Sequence, residues 1–201
     1  MQNKLISQVS FSFIDTETTA LCPSEFGRIC EIAVIKIGPG GQTHNLSSLI
    51  NPQVPIPKSA TAIHSITNYM VENKPTFDRI VPSLTHLMQG SVLVFHHAGF
   101  DVPFLEHEFT NAGLKFPNAT VLDTLKYARK HGAFKSNSLG NIVSELGLSN
   151  NGWHRALADA KMTKEVFFHF VDKFKKMGFK TLGDLIHLQT KKLTSPITAK
   201  D

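Results

Sequence analysis

Three segments with the pattern of β-strands follow one another in the first 50 residues, and this succession constrains the fold more than any other feature. The segments are "VSFSFI" from Val9, "RICEIAVIKI" at Arg28–Ile37, and "QTHNLSSLI" after the turn at Gly38–Gly41. Alternating or β-branched apolar residues bounded by a glycine-rich turn are typical of strands. Because their connections are short, the three segments are predicted to form an antiparallel meander.

Helices and strands alternate after the connector "NPQVPIP". Two more short strands are predicted, "SVLVF" from Ser91 and "ATVL" from Ala119. Helices are predicted at Ser59–His64, Asn68–Glu72, Phe77–Met88, from near Asp101, and at Thr124–Lys130, Leu139–Leu146 and Leu182–Leu188. This order predicts one α/β domain with a mixed five-stranded sheet flanked by helices. We expect it to span residues 1–175, with residues 176–201 forming a short helical and polar tail.

The last long helix is predicted to begin near Arg155. Apolar or small residues recur along one side of it at Ala156, Ala160, Thr163, Phe167, Phe170 and Phe174. Asp159 lies on the same side, so its carboxylate points toward the sheet. A buried carboxylate costs several kcal/mol unless a cation, a hydrogen bond or a proton compensates it. A salt bridge to a nearby basic residue is one such compensation, and a metal ion is another.

The composition is that of a globular protein, with 41% hydrophobic and 18% charged residues in a chain of 201. The net charge of +5 suits a polyanionic partner, although an ordinarily solvated basic surface explains it equally well. Cys22 and Cys30 are the only cysteines, which indicates neither a disulfide framework nor a zinc signature. We find no signal peptide and no stretch of membrane-spanning length, so a reducing cytoplasm is the expected location.

Two carboxylates, Asp15 and Glu17, lie two residues apart at the end of the first strand and therefore point the same way. Acidic residues at strand ends often act only as caps, and Asp101, near a helix start in "FHHAGFDVPFL", can do the same. Together with Asp159, however, they would form an all-oxygen site. Such a site suits two divalent cations, Mg²⁺ or Mn²⁺, which can clamp a phosphodiester undergoing displacement.

His154 precedes Asp159 by five residues, about 140° apart in a regular helix. If the helix begins near Arg155, His154 lies in the entry loop, where its imidazole can approach the site and accept a proton from water. A lone histidine is more often a surface or capping residue. His96 and His97 can line the same cleft, but packing at a strand end explains them equally well.

The motifs "FIDTETT", "HHAGFD" and "HRALAD" occur in this order and resemble those of the DnaQ-like 3′–5′ exonucleases of the DEDDh type. This group contains the proofreading epsilon subunit of bacterial replicative polymerases. The resemblance extends over roughly residues 11–171. It implies a ribonuclease-H-like fold and removal of nucleotides from the 3′ end of a nucleic acid. Our leading hypothesis is that the substrate is single-stranded or frayed DNA. A polymerase or replication complex is an implied partner.

The resemblance also implies roles for individual residues. Two divalent cations, Mg²⁺ or Mn²⁺, would be held by Asp15, Glu17, Asp101 and Asp159, with His154 as the general base. Thr18 and Leu21 would contact the terminal nucleotide, and Ile63 and His64 are weaker candidates for the same pocket. Ala20 stands where the family often has glycine, and His97 where it usually has asparagine. We therefore expect these two positions to affect selectivity more than activity.

Two alternatives remain open at this point. No residue identifies the sugar, so an RNA-trimming or oligoribonucleotide-degrading exonuclease of the same family is one of them. The other is a catalytically silent nucleic-acid-binding or partner-recruiting module. Loss of catalysis would be expected to remove a carboxylate or the histidine, and all five residues are present.

Overall fold

A mixed five-stranded sheet forms the centre of the chain, which the computed structural model describes over residues 2–149 and 154–191. The spatial order is β3-β2-β1-β4-β5. β1 pairs antiparallel with β2 and parallel with β4. β2 pairs antiparallel with β3, and β4 pairs parallel with β5. The predicted fold class is confirmed. The strands are β1 Ser10–Thr18, β2 Ile29–Ile37, β3 Thr43–Leu49, β4 Ser91–Phe95 and β5 Val121–Asp123.

Eight α-helices lie within the described residues, and they agree with the predicted positions apart from their ends. α4 differs most, because it begins at Ala98 rather than near Asp101. His97 adopts a left-handed backbone conformation with φ of 81°, which turns the chain directly from β4 into the helix. The helices are α1 Lys58–His64, α2 Asn68–Val71, α3 Phe77–Met88, α4 Ala98–Asn111, α5 Thr124–His131, α6 Leu139–Glu145, α7 Ala156–Lys176 and α8 Leu182–Leu188.

Hydrophobic clusters cover both faces of the sheet. On one face Phe11 and Phe13 of β1 pack against Phe167 of α7, with ring centroids 5.0 and 5.5 Å apart. On the other face Ile14 belongs to the cluster that α3 and α4 complete. Because side chains alternate along a strand, Asp15 continues the row of Phe11 and Phe13. The first pair of predicted site residues therefore faces α7.

The hydrophobic core extends beyond residue 175. Leu182, Leu185 and Leu188 of α8 are fully buried in the cluster beneath α7. The hydroxyl of Tyr127 in α5 donates a hydrogen bond of 2.9 Å to the Leu185 carbonyl. The segment that the sequence analysis assigned to a tail thus includes a helix that packs into the core.

Neither cysteine forms a disulfide, since Cys22 is exposed and Cys30 is buried. Within the described ranges, no helix combines the length and the apolar character needed to cross a membrane.

Candidate functional site

The end of β1 has no strand partner on one side, because its pairing with the parallel strand β4 ends early. Their last paired residues are Phe13 and Val94, so the following residues of β1 have no strand partner there. Asp101, in the first turn of α4, fills this place. Its Oδ1 accepts hydrogen bonds from the backbone N–H of Thr16 at 3.1 Å and from the Thr16 hydroxyl at 2.8 Å. These bonds bring the Asp101 carboxylate beside the end of β1.

An ion pair between the buried Glu31 and the half-exposed Arg155 lies at the start of α7. Arg155 donates to Glu31 of β2 through Nη2 at 2.7 Å and through Nε at 3.1 and 3.2 Å. The N–H of Ala156, the first residue of α7, donates to the same carboxylate at 2.9 Å. One helical turn later, Asp159 is directed toward β1. Arg155 therefore pairs with Glu31 and leaves Asp159 without an ion pair among the described residues.

Three of the four predicted carboxylates form a compact group. One oxygen from each of Asp15, Glu17 and Asp159 lies within 4.8 Å of the others. Asp101 lies outside this group but lines the same cavity, whose volume is about 660 Å³. Within the part of the chain that the structure describes, this is the only such cluster of potential metal ligands. The sequence motifs therefore converge on one cavity.

Burial makes this arrangement electrostatically unfavourable for ionised carboxylates. It raises the pKa of Glu17 to about 8, with further contributions from Asp159 and Glu31. Burial also raises the pKa of Asp15 well above its usual range, and the charge of Asp101 adds to this effect. The pKa values of Asp101 and Asp159 both rise to about 7 for the same first reason. A site with these shifts gains free energy from any bound positive charge.

The donor atoms fit a hard divalent cation. Asp159 Oδ1 is buried and has no hydrogen-bond partner, which is costly for a carboxylate oxygen unless a cation satisfies it. The group offers only oxygen ligands, which Mg²⁺ and Mn²⁺ prefer and structural zinc sites rarely use. Bound divalent cations would compensate both the charge of the cluster and the unpartnered oxygen.

His154 lies at the mouth of this group. It precedes α7, as predicted, and lines the cavity with a half-buried side chain. Its backbone is left-handed, with φ of 62°, and its N–H donates to the Asp159 carboxylate. This contact places the imidazole of His154 in the same cavity as the carboxylates.

The first two predicted nucleotide contacts are Thr18, the last residue of β1, and Leu21 in the loop that follows it. Leu21 is 84% exposed, whereas Thr18 is buried and its hydroxyl donates to the Ala20 carbonyl at 2.7 Å. Ile63 of α1 is also exposed. Leu21 and Ile63 are therefore available for contact with a ligand. Ala20 does not adopt a positive φ, so the loop does not require glycine there.

His64 occupies a different environment from the one expected for a surface contact. Its side chain is buried, and Nδ1 accepts a hydrogen bond of 3.0 Å from the Ile66 N–H. It also makes a hydrogen bond with the backbone of Thr18. Burial lowers the pKa of His64, which favours the neutral ring. The structure thus places His64 as a support beneath Thr18 rather than at the ligand surface.

Several residues of the site escaped the sequence analysis. Glu31 is the clearest, and a charged residue within the otherwise apolar "RICEIAVIKI" was an available signal. Arg129 and Asn137 also line the cavity, and nothing in their local sequence distinguishes them. His96 and His97 line it as well, in agreement with one of the two readings left open for them.

Known sequences similar to this chain are exonucleases and polymerase subunits. The RNase_T family, described as an exonuclease family, matches residues 12–167. The DNA polymerase III subunit epsilon of Treponema pallidum is 33% identical over 196 residues, which cover 95% of this chain and 90% of that protein. The 3′-5′ exonuclease DinG of Bacillus subtilis is 33% identical over 179 residues. This chain spans only 19% of DinG, although 89% of the chain is matched.

Solved structures share the fold. Exonuclease X in complex with 5′ overhanging duplex DNA superposes with a TM-score of 0.69 and 27% identity, covering 89% of this chain and 99% of that one. The nuclease domain of 3′hExo, a DEDDh family member bound to rAMP, has a TM-score of 0.68 at 16% identity. The match covers 86% of this chain and 95% of the 3′hExo chain, and at this identity it supports the fold alone.

Proposed function

This chain belongs to the RNase_T exonuclease family, and from this premise we propose that it is a metal-dependent 3′–5′ exonuclease acting on single-stranded or frayed DNA. The observation that carries the proposal is the group formed by Asp15, Glu17 and Asp159, together with the buried and unpartnered Asp159 Oδ1. Family membership agrees with the resemblance to DnaQ-like DEDDh proteins. The family assignment rests on a match over residues 12–167.

Asp15, Glu17, Asp101 and Asp159 are the residues that would hold two divalent cations, Mg²⁺ or Mn²⁺. When bound, the cations neutralise the carboxylates and stabilise negative charge on the phosphodiester during displacement. Asp101 Oδ1 accepts two hydrogen bonds from Thr16, and Asp101 lines the cavity in which a cation would bind.

His154 is the proposed general base. Its position in the cavity allows the imidazole to accept a proton from the attacking water, whose oxygen forms the new bond to phosphorus. The bond from phosphorus to the 3′ oxygen of the preceding nucleotide breaks, and the terminal nucleotide leaves with its phosphate. The backbone contact between His154 and Asp159 holds the entry to α7 close to the carboxylates during this step.

The exposed residues Leu21 and Ile63 would contact the terminal nucleotide, with Thr18 and His64 supporting the loop from below. An exposed apolar side chain can stack on a base and favours ends that are already unpaired. A polymerase is the proposed partner, because the Treponema pallidum relative is a DNA polymerase III subunit. The cytoplasmic location expected from the two cysteines stays a prediction.

The proposal is tested with an oligonucleotide labelled at its 5′ end, incubated with Mg²⁺ or Mn²⁺ and with EDTA as the metal-free control. We expect progressive shortening from the 3′ end, lost in EDTA and lost in Asp15→Asn. Asp78→Asn is the matched control because Asp78 is exposed on α3, away from the cavity. Full activity of Asp15→Asn would refute the proposed site.

Matched DNA and RNA strands in the same assay decide the sugar. We expect faster shortening of DNA. A strong preference for RNA would instead support the RNA-trimming alternative, and metal-independent binding of both strands without cleavage would support a silent module.

A further inference from the structure

One wall of the cavity is chemically unlike the carboxylate group. It is formed by Arg129, in the last turn of α5, and by the loop residues Ser136, Asn137 and Ser138. Of the lysine and arginine side chains that the structure describes, only Arg129 lines this cavity. The wall therefore supplies a cation and neutral polar groups to a cavity that otherwise contains four carboxylates.

The position of Arg129 is not explained by the helix alone. A cation in the last turn of a helix interacts favourably with the helix dipole, and the neighbouring Lys130 satisfies this equally well. Lys130, however, donates to the Thr190 carbonyl at 2.8 Å and does not line the cavity. Within the described chain, no carboxylate pairs with Arg129. Its guanidinium is thus available to an anion inside the cavity.

The loop beside Arg129 is held in place by His96. The His96 Nε2 lies 3.0 Å from the Asn137 carbonyl, and Nδ1 lies 2.8 Å from the Thr124 hydroxyl. A carbonyl can only accept, so Nε2 carries the proton and donates to Asn137. Asn141 secures the same loop by donating to the Ser136 carbonyl at 2.7 Å. The loop backbone is therefore fixed before any ligand arrives, while the Asn137 side chain makes no hydrogen bond within the described residues.

The sheet order separates this wall from the carboxylates. α5 follows β5, and β5 lies two strands from β1, which is about 10 Å at the usual strand spacing. A strand whose terminal phosphodiester lies over Asp15 and Glu17 carries its next phosphate one nucleotide further along, away from these two carboxylates. The Arg129 wall offers that phosphate a planar guanidinium, which suits bidentate binding of phosphate oxygens.

We propose that Arg129, together with the His96-held loop of Ser136–Ser138, binds the phosphodiester immediately upstream of the scissile bond. This inference rests on the proposed exonuclease function and narrows its substrate to strands with at least one such internal phosphate. It predicts that the protein discriminates an oligonucleotide from a mononucleotide ester by using charge at this wall.

The test compares kcat/KM on a single-stranded DNA oligonucleotide with kcat/KM on the p-nitrophenyl ester of thymidine 5′-monophosphate, which lacks an upstream phosphate. For Arg129→Gln we expect the ratio of the two values to fall by about tenfold, equivalent to one lost charge-assisted contact. We also expect the salt dependence of oligonucleotide KM to weaken by about 0.7 in log–log slope, the value for one phosphate contact on a single strand. Arg129→Lys, which keeps the charge, should retain the slope.

Lys126→Gln is the matched control, since it removes a positive charge from an exposed position of the same helix that does not line the cavity. An Arg129→Gln ratio and salt slope equal to those of Lys126→Gln would overturn the inference. The same slope for Arg129→Lys and Arg129→Gln would also overturn it, because charge would then not be the cause. Failure of the unmodified protein to cleave either substrate would instead refute the exonuclease function, so the two failures are distinguishable. Thermal melts of each variant verify that it is folded.

Discussion

Removal of Arg155 is expected to destabilise the protein far more than removal of the charge on its partner. The two side chains differ in burial, since that of Glu31 is 4% exposed and that of Arg155 is 43% exposed. Arg155→Gln would leave the Glu31 carboxylate buried with only the Ala156 N–H as a partner. Glu31 also lies directly opposite Glu17 across the β1–β2 pair, so the uncompensated charge would be repelled as well.

The magnitude follows from this asymmetry. Breaking a buried ion pair from one side costs about 3–5 kcal/mol when the remaining charge stays buried. We expect about 3 kcal/mol for Arg155→Gln, the lower end, because Arg155 itself is half exposed. Glu31→Gln should cost only about 1 kcal/mol, since the released Arg155 can be solvated and the repulsion with Glu17 disappears. A loss of about 3 kcal/mol is a large share of the 5–15 kcal/mol typical of a domain.

Urea denaturation in EDTA measures these free energies of unfolding, with the double variant Glu31→Gln/Arg155→Gln closing a mutant cycle. We expect the double variant to be more stable than Arg155→Gln alone. If Glu31→Gln costs as much as Arg155→Gln, or if the double variant shows simple additivity, the reasoning about the buried carboxylate is wrong.

Three further outcomes follow from the site. In EDTA, the melting temperature should fall as the pH rises from about 5 to about 8: the raised pKa values of Glu17, Asp101 and Asp159 mean that the folded state holds more protons than the unfolded state in this range. Glu17→Gln should flatten this dependence in a melt series. Ala20→Gly should lower the free energy of unfolding by up to about 1 kcal/mol, because the absence of a positive φ gives glycine no advantage. A higher free energy of unfolding in urea denaturation would contradict this. His97→Asn should keep the left-handed turn and leave stability within about 0.5 kcal/mol, while raising oligonucleotide KM because the ring exposed beside Phe100 is lost; an unchanged KM would exclude a contact by that ring.

The order and type of the secondary-structure elements could be predicted because their signals are local. The apolar repeat from Ala156 to Phe174 predicted α7, and the β-branched residues of Ile29–Ile37 predicted β2. The contribution of α8 to the core was missed, because packing against Tyr127 depends on contacts between residues 58 positions apart. The start of α4 was misplaced since a left-handed turn at His97 has no strong sequence signal.

The carboxylates could be identified because each motif is short and its spacing reflects strand or helix geometry. The ion pair between Glu31 and Arg155 could not be predicted, because the two residues lie 124 positions apart in the sequence. The burial of His64 was also missed. An exposed Ile63 and a buried His64 are neighbours on a short helix, and the hydrogen bonds of His64 with Thr18 and Ile66 distinguish them.

β2 supports both helices that bring carboxylates to the end of β1. Glu31 of β2 binds Arg155 at the start of α7, and Arg28, just before β2, binds Glu108 of α4 through two bonds of 2.8 Å. α7 carries Asp159 and α4 carries Asp101, so each ion pair opposes the repulsion that would separate these carboxylates from β1. When the carboxylates are ionised and no cation is bound, their mutual repulsion opposes this arrangement. The two ion pairs therefore hold a charged site together before a cation binds, although desolvation of their charged groups costs free energy.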